Sequence, residues 1–211
     1  MIFPVKTKII KTDFDWTFVK NACRNTVNKS ATETETTIEF KKKILISEHS
    51  PIRSLKIKWI WEGIKSWVSV HFARHWLGWE KYISTQRSDR TNINRDKSPQ
   101  DTPVNMIVDA NVQALINVGR VRLCYQESPE TRMQMENLKT ILKTQDEEIS
   151  NVIVPNCIYR NGCTEFEMCK EQFYAKFLKY CKDNNLPINT IQQRYDAYNK
   201  FYNVKVSYID N

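Results

Sequence analysis

Between Ser54 and Ile64 the chain reads SLKIKWIWEGI, with Leu55, Ile57, Trp59 and Trp61 alternating against Lys56, Lys58 and Glu62. A period of two sends these sets to opposite faces of a strand, one wet and one that must be covered. The period changes immediately afterwards. In KSWVSVHFARHWLGW, Trp67, Val70, Ala73 or Arg74, and Leu77 recur at helical spacing, which predicts a helix ending near Gly78.

The same reading extends along the chain. VKTKII is expected as a short strand, and TDFDWTFVKNACRNTV as a helix capped by Asp13 or Thr12 with Phe14, Phe18 and Ala22 on one face. NKSATETETT reads as a loop, and TIEFKKKILIS fits strand or helix. Residues 88–105 read as a polar loop punctuated by Pro99 and Pro103. NMIVDANVQALINVGRVRL reads as one helix with Val112, Leu115, Ile116, Gly119 and Leu123 on one side. A further helix starts at Ser128 as cap with Pro129 in its first turn, and KEQFYAKFLKYCKDN and NTIQQRYDAYNKFY are two more amphipathic helices. With no internal repeat or low-complexity linker, the expectation is one α+β domain over residues 1–211, with a helical extension from about residue 155.

Only four glycines occur in 211 residues, all isolated. Dinucleotide fingerprints and phosphate loops need clustered glycines that let backbone amides approach phosphate, so a nucleotide here would be held by side chains. The net charge of +8 favours an anionic partner, although lysine-rich surfaces also serve solubility. No apolar run reaches bilayer length and the start lacks a signal-type segment, so a cytoplasmic protein with no membrane partner is expected. The six cysteines then read as reduced thiols. Cys157, Cys163 and Cys169 are separated by five residues each, wider than ordinary zinc pairs, with no histidine downstream, so no metal is expected.

Arg74 and His75 close the predicted helix, with Ser84, Arg87 and Arg90 following. Cations suit a helix C-terminus for structural reasons alone, while several guanidinium forks and a hydroxyl also suit a phosphate or pyrimidine. Asn111, Asn117 and Arg122 interrupt an otherwise apolar helical segment. Their polar groups need partners, either neighbouring backbone or a ring with alternating donors and acceptors. Neither Ser84 nor any cysteine lies in a strand–turn–helix elbow, so no catalytic nucleophile is legible.

Together these blocks resemble the flavin-dependent thymidylate synthases of the ThyX type. That family's signature runs Arg-His-Arg, two residues, Ser, one residue, Asn-Glu, one residue, Ser, one residue, Arg-Tyr. Arg74, His75 and Ser84 match it, Trp76 replaces the second arginine, and Tyr82 stands at the glutamate with Glu80 two residues earlier. Gln86 falls at the arginine position, with Arg87 one place late. EHSPIR is similar to the family's upstream segment through Ser50 and Pro51, with Arg53 where glutamate is expected. Asn111, Asn117, Arg122 and Glu130 fall in register with its third block, so the resemblance covers about residues 46 to 140 in three ordered parts. The loop between the second and third parts is shorter than usual, which suits a divergent, phage-like branch.

The resemblance implies a mainly antiparallel sheet packed by helices, and a homotetramer with shared active sites. The implied reaction converts dUMP to dTMP with methylenetetrahydrofolate as carbon donor and NADPH-reduced FAD. It places Ser50, Arg74, His75, Asn111 and Asn117 at FAD. It places His71, Glu80, Ser84, Gln86, Arg87 and Arg122 at the nucleotide, with Arg122 and Ser84 as the catalytic pair. Methylation or hydroxymethylation of dUMP or dCMP is the nearest alternative. A basic single-stranded nucleic-acid-binding protein, using KIKWIWEGIKSW as its surface, is the alternative from another class, and otherwise no nucleic-acid partner is expected.

Overall fold

The computed structural model describes residues 5–207. They form two compact units, one of residues up to Thr36 with Ser50–Leu115, the other of Thr37–His49 with residues from Ile116 onward.

The first unit is built on a four-stranded antiparallel sheet in the order β1-β2-β4-β3, from β1 (Lys6–Asp13), β2 (Lys56–Lys65), β3 (Trp79–Ile83) and β4 (Pro103–Asn111). In β2 the alternation acts as the sequence requires, since Ile57, Trp59 and Trp61 are fully buried while Lys56 and Lys58 are exposed. Lys58 pairs with Asp109 of the neighbouring strand at 3.1 Å on the wet face. Trp59 makes edge contacts with Trp61 and Trp79 at 5.3 and 5.1 Å, and Phe72 lies 4.4 Å from the Trp61 ring. Gly63, at φ 76°, sits where the β2–β4 register shifts, and its N–H donates to Asn105 Oδ1 at 3.0 Å. This bulge uses a backbone conformation that only glycine adopts without strain.

Helix α1 (Trp16–Asn25) buries Trp16 and Val19 rather than Phe14, Phe18 and Ala22, and its cap is Asp15, which accepts from the Phe18 N–H at 2.8 Å. Helix α3 (Ser66–Ala73) ends five residues before Gly78 and buries Val68, Ser69 and Phe72, leaving Val70 and Leu77 exposed. The predicted helix end and buried face are both corrected here. After Phe72 the chain turns so that Trp79 can enter the sheet. A larger correction concerns residues 105–111, which belong to strand β4. Val104, Met106, Val108 and Ala110 face the core there, and helix α4 (Val112–Arg122) starts only afterwards.

The second unit is helical. Its further helices are α2 (Ile38–Ile46), which resolves the ambiguous segment, then α5 (Pro129–Lys143), α6 (Glu147–Asn151), α7 (Asn156–Tyr159), α8 (Phe173–Asp183) and α9 (Ile191–Ser207). Ser128 caps α5 as expected, accepting from the Thr131 N–H. A Cβ on Gly119 would come within 2.5 Å of Ile153 Cγ2, so α4 packs there at a distance only glycine allows. Two cations lie buried without a carboxylate partner. Arg194 donates to the carbonyls of Ile158, Tyr159 and Ile188, and Lys139 Nζ donates to Ser150 O at 2.6 Å and Asn199 Oδ1 at 2.8 Å.

Candidate functional site

The turn from α3 into β3 carries the densest group of sequence-selected residues. His71 lies in the last turn of α3, half-buried, its ring edge-on to Trp67 at 5.4 Å. Arg74 is the C-cap residue; its side chain is exposed and takes no hydrogen bond or ion pair from any described residue. His75 is anchored at both ends of its backbone, its N–H donating to Phe72 O at 3.2 Å and its carbonyl accepting from Lys81 Nζ at 2.7 Å. Its ring meets Trp79 edge-on at 6.0 Å. Trp76 and Leu77 follow at 72% and 74% exposure, an apolar pair that the unit itself leaves uncovered.

Gly78 shapes the turn, with φ at 69° and a hypothetical Cβ only 2.2 Å from Asn111 Nδ2. Its carbonyl accepts from the Asn111 N–H at 3.0 Å. Asn111 is thereby brought against Gly78, in the turn that follows Arg74 and His75, although the two are 33 residues apart in sequence. Asn111 Oδ1 accepts from the Ala114 N–H at 2.8 Å, so this residue caps α4 instead of lying within it. Its side-chain carbonyl is used locally, while Nδ2 faces the turn.

Ser84, Gln86 and Arg87 stand at the other end of β3. The Ser84 N–H donates to Asn105 O at 2.9 Å and its Oγ accepts from the Asn105 N–H at 2.9 Å, which extends the β3–β4 ladder past Ile83. The hydroxyl proton stays available to a ligand. Gln86 buries its amide Nε2 with no partner among the described residues. Arg87 forms a bidentate, exposed pair with Asp89, at 2.9 and 2.6 Å. Glu80 projects from the exposed side of β3, opposite Asp109 in register. From Gly78 to Ser84 the strand climbs about 20 Å at its ordinary rise per residue. The two groups of residues are therefore farther apart within one chain than a mononucleotide reaches. Ser50 is exposed at the start of a 3-10 turn (Ser50–Ser54), with Arg53 exposed beside it.

In the second unit, Asn117 is exposed on α4, whereas Arg122 is buried at 9% and ion-paired with Glu127. Five residues along a helix turn the side-chain direction by well over a right angle, which accounts for their different surroundings. Glu127 also accepts from the Ser128 N–H at 3.0 Å, so the carboxylate is positioned from two sides. Asn105, which holds Ser84 and the Gly63 bulge, escaped the sequence reading because its segment was taken as helix; the alternation of Asn105, Ile107 and Asp109 against Met106, Val108 and Ala110 was the usable signal.

The chemistry these groups can support is binding and polarisation rather than nucleophilic attack. Burial pushes the Cys157 thiol up to about 12 and raises the Cys124 and Cys181 thiols, so none of these is a thiolate at neutral pH.

No protein-family model matches the chain, and no curated protein matches its sequence. Solved structures do match in fold. A flavin-dependent thymidylate synthase, ThyX, from Helicobacter pylori, complexed with FAD and dUMP, superimposes with a TM-score of 0.60 at 12% identity, over 71% of this chain and 99% of that one. A UMP/dUMP methylase, PolB, from Streptomyces cacaoi, bound with 5-Br dUMP, does so with a TM-score of 0.56 at 12% identity, over 71% of this chain and 94% of that one. The mixed architecture with its antiparallel sheet is thus the fold of ThyX-like proteins, spanning nearly the whole of each relative.

Proposed function

We propose that this chain is a flavin-dependent thymidylate synthase that methylates dUMP to dTMP. The observation that carries the reading is a coincidence of two independent facts. The chain has the fold of enzymes crystallised with dUMP or its bromo analogue, and its Arg74-His75, Ser84 and Asn111 stand on the turn and strand ends that border one sheet edge.

The residues present fit an anionic, aromatic cofactor. Arg74 has an uncommitted guanidinium, Trp76 an uncovered ring, and Gln86 an orphaned buried amide. Arg74, His75 and Ser50 would hold the FAD phosphates and ribityl chain, with Asn111 and Asn117 toward the flavin end. Bound FAD, reduced by NADPH, would supply the hydride, and methylenetetrahydrofolate the carbon. His71, Glu80, Ser84, Gln86, Arg87 and Arg122 would bind the nucleotide. Arg122, oriented by Glu127, would polarise a pyrimidine carbonyl and so increase electron density at C5. Ser84 would donate its free hydroxyl proton to the nucleotide. No protein nucleophile is required, in keeping with raised thiol pKa values and the absence of any elbow motif.

The 20 Å that separates the Arg74 and Ser84 ends of β3 supports a homotetramer in which copies share sites. The uncovered Trp76 and Leu77 would then lie between copies. One catalytic domain over residues 1–211, with the helices from about 155 as an extension, is part of the same reading. The likeness to PolB favours a second reading, in which UMP is methylated as well as dUMP.

The test is an absorption titration of purified protein with FAD, followed by dUMP and UMP. Flavin bands that shift on binding and shift again with dUMP are expected, and Arg74→Ala should abolish the first change. A protein that leaves the FAD spectrum unaltered refutes the proposal. Colourless protein whose single-stranded DNA affinity falls steeply with salt would point to nucleic-acid binding instead. A response to UMP equal to that with dUMP would select the second reading.

A further inference from the structure

The helical unit holds a cavity of about 220 Å³ that has no part in the proposed nucleotide chemistry. Its walls come from the residues after α4, from α7, and from α8 with the stretch that precedes it. Among the described residues no lysine, arginine or histidine lines it, although the chain carries a net charge of +8, and its one carboxylate is Glu165. The polar groups around it are turned on one another. Asn156 Nδ2 donates to Thr164 Oγ1 at 2.8 Å, Gln126 Nε2 to Glu167 O at 2.6 Å, Tyr174 Oη to Asn161 Oδ1 at 3.0 Å, and the Cys124 thiol to Glu165 Oε1 at 3.8 Å. What is left to meet a ligand is carbon and neutral sulfur. Phe173, its ring stacked on Tyr125 at 4.2 Å, is buried, whereas Met168 is 72% and Leu178 37% exposed. The cavity therefore runs from the interior of the unit to its surface, and a ligand can enter it as it stands.

We infer that this cavity is a second binding site, for an uncharged aromatic compound of one or two fused rings. Three properties of the walls select that class. The first is polarity: a well-formed apolar pocket with few free polar groups is the ordinary setting for a small-molecule ligand, and its affinity comes from removing apolar surface from water. The second is charge. An anion would enter with no cation to meet it and Glu165 at the wall, and burying a charge unpaired is costly. The third is sulfur. Cys124, Cys157, Cys163, Cys169 and Met168 all line the space. Divalent sulfur makes favourable contacts with aromatic rings, often at the ring edge, which an aliphatic ligand would forgo. Burial pushes the Cys157 thiol up to about 12, so it meets the ligand as a neutral, polarisable group. Size sets the number of rings. An apolar cavity of about 150 Å³ accepts one benzene ring, and the larger volume here accommodates a bicyclic one. None of these properties rests on the proposed thymidylate chemistry.

The test is equilibrium dialysis of the full, reduced chain against radiolabelled indole. Saturable binding of one indole per chain is expected, with indole-3-acetate, which adds a carboxylate to the same rings, binding more weakly. Ala175 lines the cavity from the exposed side of α8, so Ala175→Phe fills it from a position that tolerates a larger side chain, and indole binding should be lost. As a check that needs no variant, indole should slow alkylation of Cys163 and Cys169 and leave that of Cys23 unchanged, read peptide by peptide in a mass spectrometer. Absence of saturable binding, full binding by Ala175→Phe, equal affinity for indole-3-acetate, or unaltered alkylation of Cys163 and Cys169 overturns the inference. So does displacement of indole by FAD or dUMP, which would place it in the nucleotide site. FAD binding is read separately, so a chain that binds flavin and no indole overturns this site alone, and the converse result overturns only the proposed function.

Discussion

Lys139 offers the sharpest physical test of the helical unit. It is 2% exposed, its ammonium donates to Ser150 O and Asn199 Oδ1, and the Tyr198 and Tyr202 rings lie 5.7 and 5.6 Å away, with no carboxylate in the cluster. Burial, with a smaller contribution from the nearby Lys143, pushes its pKa down from 10.5 to about 7. In the folded protein the proton is thus lost first as pH rises. Between about 7 and 10.5 the unfolded chain binds a proton that the folded chain does not, so stability rises with pH across that window. The slope is about 1.4 kcal/mol per pH unit, and the full shift amounts to roughly 5 kcal/mol, present as a penalty below pH 7 and relieved above 10.5. Lys139→Met removes the titrating group at similar volume. In urea unfolding of both proteins at a series of pH values, the stability of native chain relative to variant should climb by roughly 2 kcal/mol from about pH 7 to pH 9. Titrations common to both proteins, such as that of the Cys157 thiol, cancel in the difference. A difference that stays flat over this range would refute the reasoning, because it would mean that the ammonium keeps its charge or its water in the fold.

Three further outcomes follow from the same geometry. Gly78→Ala should lower stability by roughly 2–4 kcal/mol, since the positive φ and the encroachment on Asn111 both act against a Cβ, and a urea midpoint within error of native would contradict the described turn. Asn111→Ala should cost about 1 kcal/mol of stability as a lost cap while Asn111→Asp restores it; calorimetry separates this from any effect on FAD affinity measured in parallel. Arg122→Met strands Glu127 in a buried site and should cost roughly 3–5 kcal/mol, most of it recovered in the Arg122→Met, Glu127→Gln double variant. On the proposed function, that double variant should fold and bind FAD yet show no spectral response to dUMP; a native response would remove Arg122 from the nucleotide site.

How much of this protein could be read along the chain depended on how local the controlling physics is. Strand β2, the Ser128 cap and helices α8 and α9 were legible because periodicity and capping act over a few residues. Strand β4 was not, since its alternation runs into α4 with no Gly or Pro between them and Asn111 passes for a helical residue. Strand β3 has only five residues and exists through its pairing with β4, a partner more than twenty residues further along the chain. The Arg74, His75 and Ser84 pattern was visible as residue types at a spacing, but their placement at opposite ends of β3 was not, because the helix was expected to continue to Gly78.

By itself the sequence determined the chemical inventory: one half-wet strand between helices, cationic side chains where glycine loops would otherwise bind phosphate, and no legible nucleophile. Tertiary structure decided which of those groups meet. It brought Asn111 to the turn at Gly78, closed Glu127 over Arg122 and buried Lys139 without a counter-ion. These are encounters between residues distant along the chain. They are set by which apolar faces must be buried together, and no local pattern of residues encodes that.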